Sequence, residues 1–293
     1  MGVLNSLLLK NVPRGTFLSE FINGVPMTQV IAVSNQKGGV GKTTSSVNIS
    51  AELAVMGRRV LLIDFDPQGN TTSGLGVEKP SEGEDLYDVF FGRITLSSIV
   101  QLTPHPQLSN LKIAASTKDL IGVEVELGKT PGRELILKSQ LKLLKSSFDY
   151  VIIDCPPSLG LLTLNALGAA DSVLIPLQAE YYALEGVSAL IETTNFVRQT
   201  FNPNLSIMGV FLTMYDGRTR LSTQVEAEAR KFFGPTMFNS VVPRSIRLSE
   251  APSHGKPICL YDPSSSGAEA YRKVSTELDE RVYGVTKRFA VNE

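Results

Sequence analysis

Apolar runs that stop abruptly at polar residues alternate along this chain with stretches of helical period. Five such runs stand out: "QVIAVSN" from Gln29, "RVLLIDFD" from Arg59, "YVIIDCPP" from Tyr150, "SVLIPLQ" from Ser172 and "LSIMGVFLTMY" from Leu205. They do not alternate apolar with polar, so each is expected to be a strand buried on both faces, the mark of a parallel sheet. Helices are predicted from about Thr43 to Met56, from Leu221 to Phe233, and after the "PSSSG" turn at Pro263 to Gly267. Strand–helix alternation of this kind predicts an α/β, doubly wound, mostly parallel sheet flanked by helices, with ligands at the carboxyl edge of the strands.

The first 26 residues lack this pattern: they hold one short apolar run and two Gly/Pro breaks. They are read as an N-terminal extension, flexible or arising from a non-native start, ahead of a single domain over residues 27–293. No internal repeat or long Pro/Ser-rich linker divides that stretch.

Composition adds limits. The formal net charge of −1 gives the whole chain no pull toward nucleic acid or membrane, so any such binding must come from a local patch. The two cysteines, Cys155 and Cys259, make neither a disulfide framework nor a metal cage and suit a reduced, cytoplasmic protein. No apolar run approaches the roughly 18 residues that a spanning helix needs.

The candidate chemistry gathers at three strand ends. "NQKGGVGKTT", Asn35 to Thr44, follows the first strand as a phosphate-binding loop would. Gly38, Gly39 and Gly41 let the backbone around Val40 turn its N–H groups inward, and the helix beginning near Thr43 adds its positive end. Lys42 supplies charge for the β- and γ-phosphates, and Thr43, with Thr44 beside it, supplies a hydroxyl suited to magnesium. Asp64 and Asp66 end the second strand and Asp154 the third, where a cation or a water would need them. Gln68 and Asn70 in "DPQGN" are expected to hydrogen-bond within that turn, and His254 in "PSHGKP" to order its loop. The loop holds one lysine more than usual, Lys37, and Gln36 where a glycine is customary.

"KGGVGKTT", "LLIDFDPQGN", "VIIDCPPSLG" and "RLSEAPSHGKPI", the last followed closely by "YDP", together resemble the ParA/Soj family of chromosome- and plasmid-partition ATPases. This is the deviant Walker A group of P-loop NTPases, which also includes MinD and the nitrogenase iron protein, and the match runs from Met27 to about Tyr283. The loop pattern of that group accounts for Gln36 and Lys37. The resemblance implies that Lys37 reaches the partner's phosphates across an ATP-dependent homodimer, that Asp66 positions the attacking water, and that Asp64 and Asp154 support Mg2+. It further implies that Pro243 and Arg244 run near the adenine of ATP. Arg218 and Arg247 would contact double-stranded DNA without sequence preference, and a ParB-type centromere-binding protein would stimulate slow hydrolysis. The alternative of a MinD-like membrane-cycling ATPase would want a basic amphipathic tail, and "RVYGVTKRFAVNE" is short and poorly patterned for one, so no stable membrane association is expected. Iron–sulfur chemistry would want cysteine ligands that Cys155 and Cys259 do not provide.

Overall fold

Every residue of the strands Val60–Asp64, Tyr150–Asp154 and Ser172–Gln178 is buried, as their unbroken apolar runs require. The computed structural model describes residues 28–81, 83–180 and 183–289, together with the pairs 21–22 and 25–26. The extension expected over residues 1–26 thus lies outside the described residues, except that Phe21–Ile22 pairs antiparallel with Val25–Pro26.

Seven strands form the sheet: β1 (Gln29–Val33), β2 (Val60–Asp64), β3 (Val100–Leu102), β4 (Leu111–Ala114), β5 (Tyr150–Asp154), β6 (Ser172–Gln178) and β7 (Ser206–Thr213). Their spatial order is β3-β4-β2-β5-β1-β6-β7, and all pairings are parallel except that of β3 with β4 at the edge. The five long runs are thus strands of a mostly parallel sheet, as expected. The edge pair β3 and β4 is an addition to that expectation: β3 is three residues long, and Lys112 interrupts β4.

Seven helices bear on the site: α1 (Lys42–Val55), α2 (Asn70–Gly74), α3 (Leu161–Ala169), α4 (Ala183–Thr200), α5 (Arg220–Phe233), α6 (Ile246–Glu250) and α7 (Ser266–Phe289). They cover both faces, and alternate side chains of β1 show how. Ile31 and Val33 belong to a buried cluster with Ile49 and Leu53 of α1 and Tyr271, Val274 and Leu278 of α7. Val30 and Ala32 belong to the opposite cluster, with Ala166 of α3, Leu190 of α4 and Val225 of α5. Chain leaving β1 moves to one side of the sheet, into β2, while chain leaving β5 moves to the other, into β6. The carboxyl end of β1 therefore sits at a topological switch point, where such sheets bind ligands. Among the described residues no helix is long and apolar enough to cross a membrane.

A buried carboxylate on α1 is poorly served. Glu52 of α1 is buried, its Oε1 has no hydrogen-bond partner, and the Arg272 guanidinium stands 3.9 Å from Oε2. Burial raises its pKa, and Arg272 offsets this only in part. A carboxyl whose pKa is raised by folding stabilises below its unfolded pKa and loses that contribution as pH climbs through the folded value. Glu52→Gln keeps the shape without the charge. At pH 8 it is expected to gain about 1 kcal/mol, a rise of roughly 2–4 °C in Tm, with the gain shrinking toward pH 4. Thermal melts at both pH values check this; a loss of stability at pH 8 would show that the Arg272 pair outweighs the buried charge.

Candidate phosphate and metal site

The turn after β1 is built to present backbone N–H groups. Asn35 donates its Nδ2 to the Pro176 carbonyl at the end of β6 (2.8 Å) and accepts from the Lys37 N–H at 3.0 Å. Thr213, the last residue of β7, donates its hydroxyl to the Val40 carbonyl at 2.8 Å. The loop is thereby tied to both strands on that side of β1. Gly41 caps α1 in the left-handed region (φ 87°), and no side chain caps the first turn. The free N–H groups of Lys42, Thr43 and Thr44 and the helix dipole there favour an anion. A Cβ added to Gly38 or Gly39 would meet nothing within 4 Å, so that flank of the loop lies open to a ligand.

On the other side of α1, adjacent strand ends bring two carboxyls together: Asp64 of β2 and Asp154 of β5 are register partners. Asp154 is fully buried and accepts three hydroxyls, from Thr43 (2.8 Å) and Thr71 (2.6 Å) on Oδ2 and from Ser46 (2.9 Å) on Oδ1. Asp64 accepts both the N–H (2.8 Å) and the hydroxyl (2.6 Å) of Thr72 on Oδ2, while its buried Oδ1 has no partner. Burial raises both pKa values, that of Asp64 to about 7, and the neighbouring Asp154 charge adds to the effect on Asp64. Asp66, two residues beyond β2, is held by its own turn: Oδ1 accepts from the Gln68 N–H at 2.9 Å. Gln68 thus acts through its main chain.

The two lysines of the loop are placed differently. Lys42 is buried, and its Nζ donates to the Lys37 carbonyl at 3.1 Å. Burial lowers its pKa, and the nearby Asp154 and Asp66 carboxyls oppose that shift. Lys37 is half-exposed, and its Nζ forms a 2.8 Å ion pair with Glu180, just past β6.

Asp64 and Asp154 end adjacent strands, Asp66 follows two residues after Asp64, and Lys42 is the buried cation of the loop beside them, so the site can take added positive charge. The orphaned Asp64 Oδ1, on the strand end next to Asp154, which takes the Thr43 hydroxyl, fits a hard, oxygen-seeking cation such as Mg2+. Among the described residues no three His, Cys, Asp or Glu side chains converge as a cage, and Mg2+ bound through one or two protein oxygens and nucleotide phosphates needs none.

The remaining candidates lie beyond β7. The Tyr215 N–H donates to the Val242 carbonyl (3.0 Å) and the Arg244 N–H to the Tyr215 carbonyl (3.2 Å), which lays Pro243 and Arg244 beside the strand end that also holds Val40. Arg218 is exposed and forks onto Asp216 at 2.9 and 2.7 Å, which pulls the Asp216 carboxyl down to about 2. Arg247, on α6, pairs with Glu250 at 2.9 Å and with Asp262 at 3.4 Å. Both guanidiniums reach solvent, each already paired with carboxylate. His254 stacks on Tyr261 with ring centroids 4.9 Å apart, in keeping with a loop-ordering role.

Residues 28–207 match the family model for an AAA domain. The sporulation initiation inhibitor protein Soj of Bacillus subtilis is 53% identical over 252 residues, which cover 86% of this chain and 98% of that protein. The chromosome partitioning protein ParA of Myxococcus xanthus is 49% identical over 253 residues, 86% of this chain and 88% of that one. The chain belongs to the ParA/Soj family of partition ATPases. Among solved structures, cobyrinic acid a,c-diamide synthase of Mycobacterium smegmatis with bound ADP and magnesium is 38% identical, with a TM-score of 0.76 over 88% of this chain and 97% of that one.

Family motifs directed attention to the loop and the aspartates and left their supports unmarked. Ser46 lies one helical turn after Thr43, close enough in sequence to have been placed on the same face. Thr71 and Thr72, directly after "DPQGN", are the two residues that grip Asp154 and Asp64. Glu180 and Thr213 had no local signal, because each meets its partner more than 140 positions away.

Proposed function

We propose that this chain is a DNA-partition ATPase whose own subunit supplies only part of each active site. It binds ATP with Mg2+ through Gly38–Thr44: Lys42 and the α1 N–H groups hold the phosphates, and Thr43, backed by Asp154 and Asp64, holds the metal. When bound, the metal supplies positive charge to the β- and γ-phosphate oxygens. Pro243 and Arg244 run beside the base, and Asp66 orients the attacking water. Lys37 serves the partner's nucleotide in a homodimer that closes only with ATP. That dimer binds double-stranded DNA without sequence preference, through Arg218 and Arg247, and so associates with the nucleoid. A ParB-type partner stimulates hydrolysis and releases it.

The observation that carries this reading is the different placement of the two lysines. Lys42 is buried against its own loop, while Lys37 is held 2.8 Å from a half-exposed carboxylate. A second cation in the same loop that is not engaged there is available to another subunit.

DNA binding tests the reading. The chain is near neutral, so affinity must come from a small basic patch doubled by dimerisation. Each arginine leaves a surface ion pair to reach a phosphate, an exchange that costs little because exposed pairs contribute little. With two or three phosphates neutralised per subunit, the slope of log affinity against log salt is expected at roughly −4 to −5. Arg218→Ala or Arg247→Ala should each flatten it by about two units, one for the phosphate that each subunit no longer reaches. Binding of random-sequence duplex across a salt series, with and without ATP, reads this out. Tight binding without ATP, or an unchanged slope in the double variant, would place the DNA surface elsewhere.

A further inference from the structure

α2 lies between the metal side of the site and the segment that carries Arg247. At its start Thr71 and Thr72 grip Asp154 and Asp64. Toward its end a Cβ added to Gly74 would lie 3.8 Å from the Pro252 side chain. Just beyond, Gly76 and Gly255 meet backbone to backbone. Both are left-handed (φ 66° and 61°), and a Cβ on Gly255 would fall 2.7 Å from the Gly76 Cα, so no other residue fits without displacing one segment. The turn Ala251–His254 continues directly from α6, the helix of Arg247. A cavity of about 320 Å³ lined by Thr43, Thr44, Asn70, Ser73, Pro252 and Lys256 shows the phosphate loop, α2 and this turn facing one space.

His105 closes that junction from above. It stands in the turn of the edge hairpin between β3 and β4, and its Nε2 lies 3.0 Å from the Leu75 carbonyl and 2.8 Å from the Gly255 carbonyl. Two carbonyl acceptors on one ring nitrogen require the proton on Nε2, shared as a three-centre hydrogen bond. Leu108, three residues on, is buried in the cluster that also holds Leu75, Val77, Leu248 and Ala251. The antiparallel hairpin at the sheet edge thus serves as a strap, joining the segment after Asp66 to the segment after Arg247.

We propose that His105 is a positioning residue that couples the nucleotide-sensing turn, Asp66–Gly76, to the placement of Arg247, so that DNA binding follows the nucleotide state. The proposal rests on the DNA role of Arg247 proposed for this family member. Its physical content is a short chain of rigid contacts. Ligand at Thr43 and Asp154 biases Thr71 and α2. The packed glycines pass that displacement to residues 251–255 with no slack, and His105 keeps the two carbonyls from separating. The coupling belongs to the free energies of both sites, so it shows as an affinity change while each ligand keeps its own binding residues.

The experiment compares full-length His105→Ala and His105→Gln with the natural chain by ATP titration, DNA binding in Mg-ATP, and hydrogen exchange of residues 246–256 with and without ATP. Glutamine keeps an N–H donor of similar reach; alanine does not. His105→Ala is expected to bind ATP within about twofold of the natural chain and to lose DNA affinity about tenfold, within the range usual for coupling between sites. ATP should still alter exchange in residues 35–44 of that variant and no longer alter it in 246–256, and His105→Gln should restore both properties. An ATP-driven exchange change in 246–256 that persists in His105→Ala, undiminished DNA affinity, or equal loss of ATP binding would overturn the proposal, as would failure of glutamine to restore. If Arg247→Ala leaves DNA binding intact, the DNA role of Arg247 fails, and the exchange arm still decides whether His105 couples the two segments.

Discussion

Lys42→Ala is expected to abolish measurable ATP binding, whereas Lys37→Ala keeps ATP affinity and loses both dimerisation and hydrolysis. Lys42 is the one buried cation among Asp64, Asp66 and Asp154 in the described residues. Its removal takes away charge-assisted bonds of about 1.5–3 kcal/mol each and leaves the carboxylates to repel incoming phosphates, so a loss of about a thousandfold or more in affinity follows. Lys37 makes its ion pair with Glu180 on a half-exposed surface, and breaking that pair leaves an exposed carboxylate free to hydrate. Nothing else in the loop leans on its side chain: Asn35 holds the Lys37 N–H, and Lys42 holds the Lys37 carbonyl, both main-chain bonds that alanine preserves. Nucleotide titration alongside light scattering separates the variants. Equal loss of ATP affinity in both would remove the distinction between a lysine for the chain's own nucleotide and one for the partner's.

Asp66→Ala is expected to slow hydrolysis by roughly 10²-fold or more while ATP still binds and the dimer still closes. The structure gives the reason these effects separate. The hydroxyls of Thr43, Ser46 and Thr71 all go to Asp154, and Thr72 goes to Asp64. Among the described residues the Asp66 carboxylate accepts a hydrogen bond only from the Gln68 N–H of its own turn, so removing it leaves the hydrogen bonds that hold Asp64 and Asp154 intact. The variant should therefore accumulate as an ATP-bound dimer that stays on DNA. Phosphate release and DNA dissociation rates measured together check this, and normal turnover would show that another group positions the water.

Most of the sheet was legible because its long strands are buried on both faces, which forces unbroken apolar runs into the sequence. The edge pair escaped for the opposite reason. In Val100–Leu102 two of the three residues are exposed, and in Leu111–Ala114 Lys112 faces solvent, so neither carries an apolar run long enough to stand out. At the site, glycines and strand-end aspartates announce themselves because few other roles suit them at those spacings. Their supports do not. Serine and threonine occur everywhere, and only the folded chain shows that Ser46, Thr71 and Thr72 are aimed at buried carboxylates. His105 was silent for a further reason: its two acceptors, 30 and 150 positions away, are main-chain carbonyls that leave no trace in residue type.

The paired placement of Lys37 and Lys42 makes the ATP-driven dimer the central claim, and its mass is the most direct measurement. Light scattering of the full chain with Mg-ATP, using Asp66→Ala to hold the nucleotide unhydrolysed, should give twice the monomer mass, and with Mg-ADP the monomer mass alone. A mass that stays monomeric with ATP, or is the same with ATP and ADP, would contradict it.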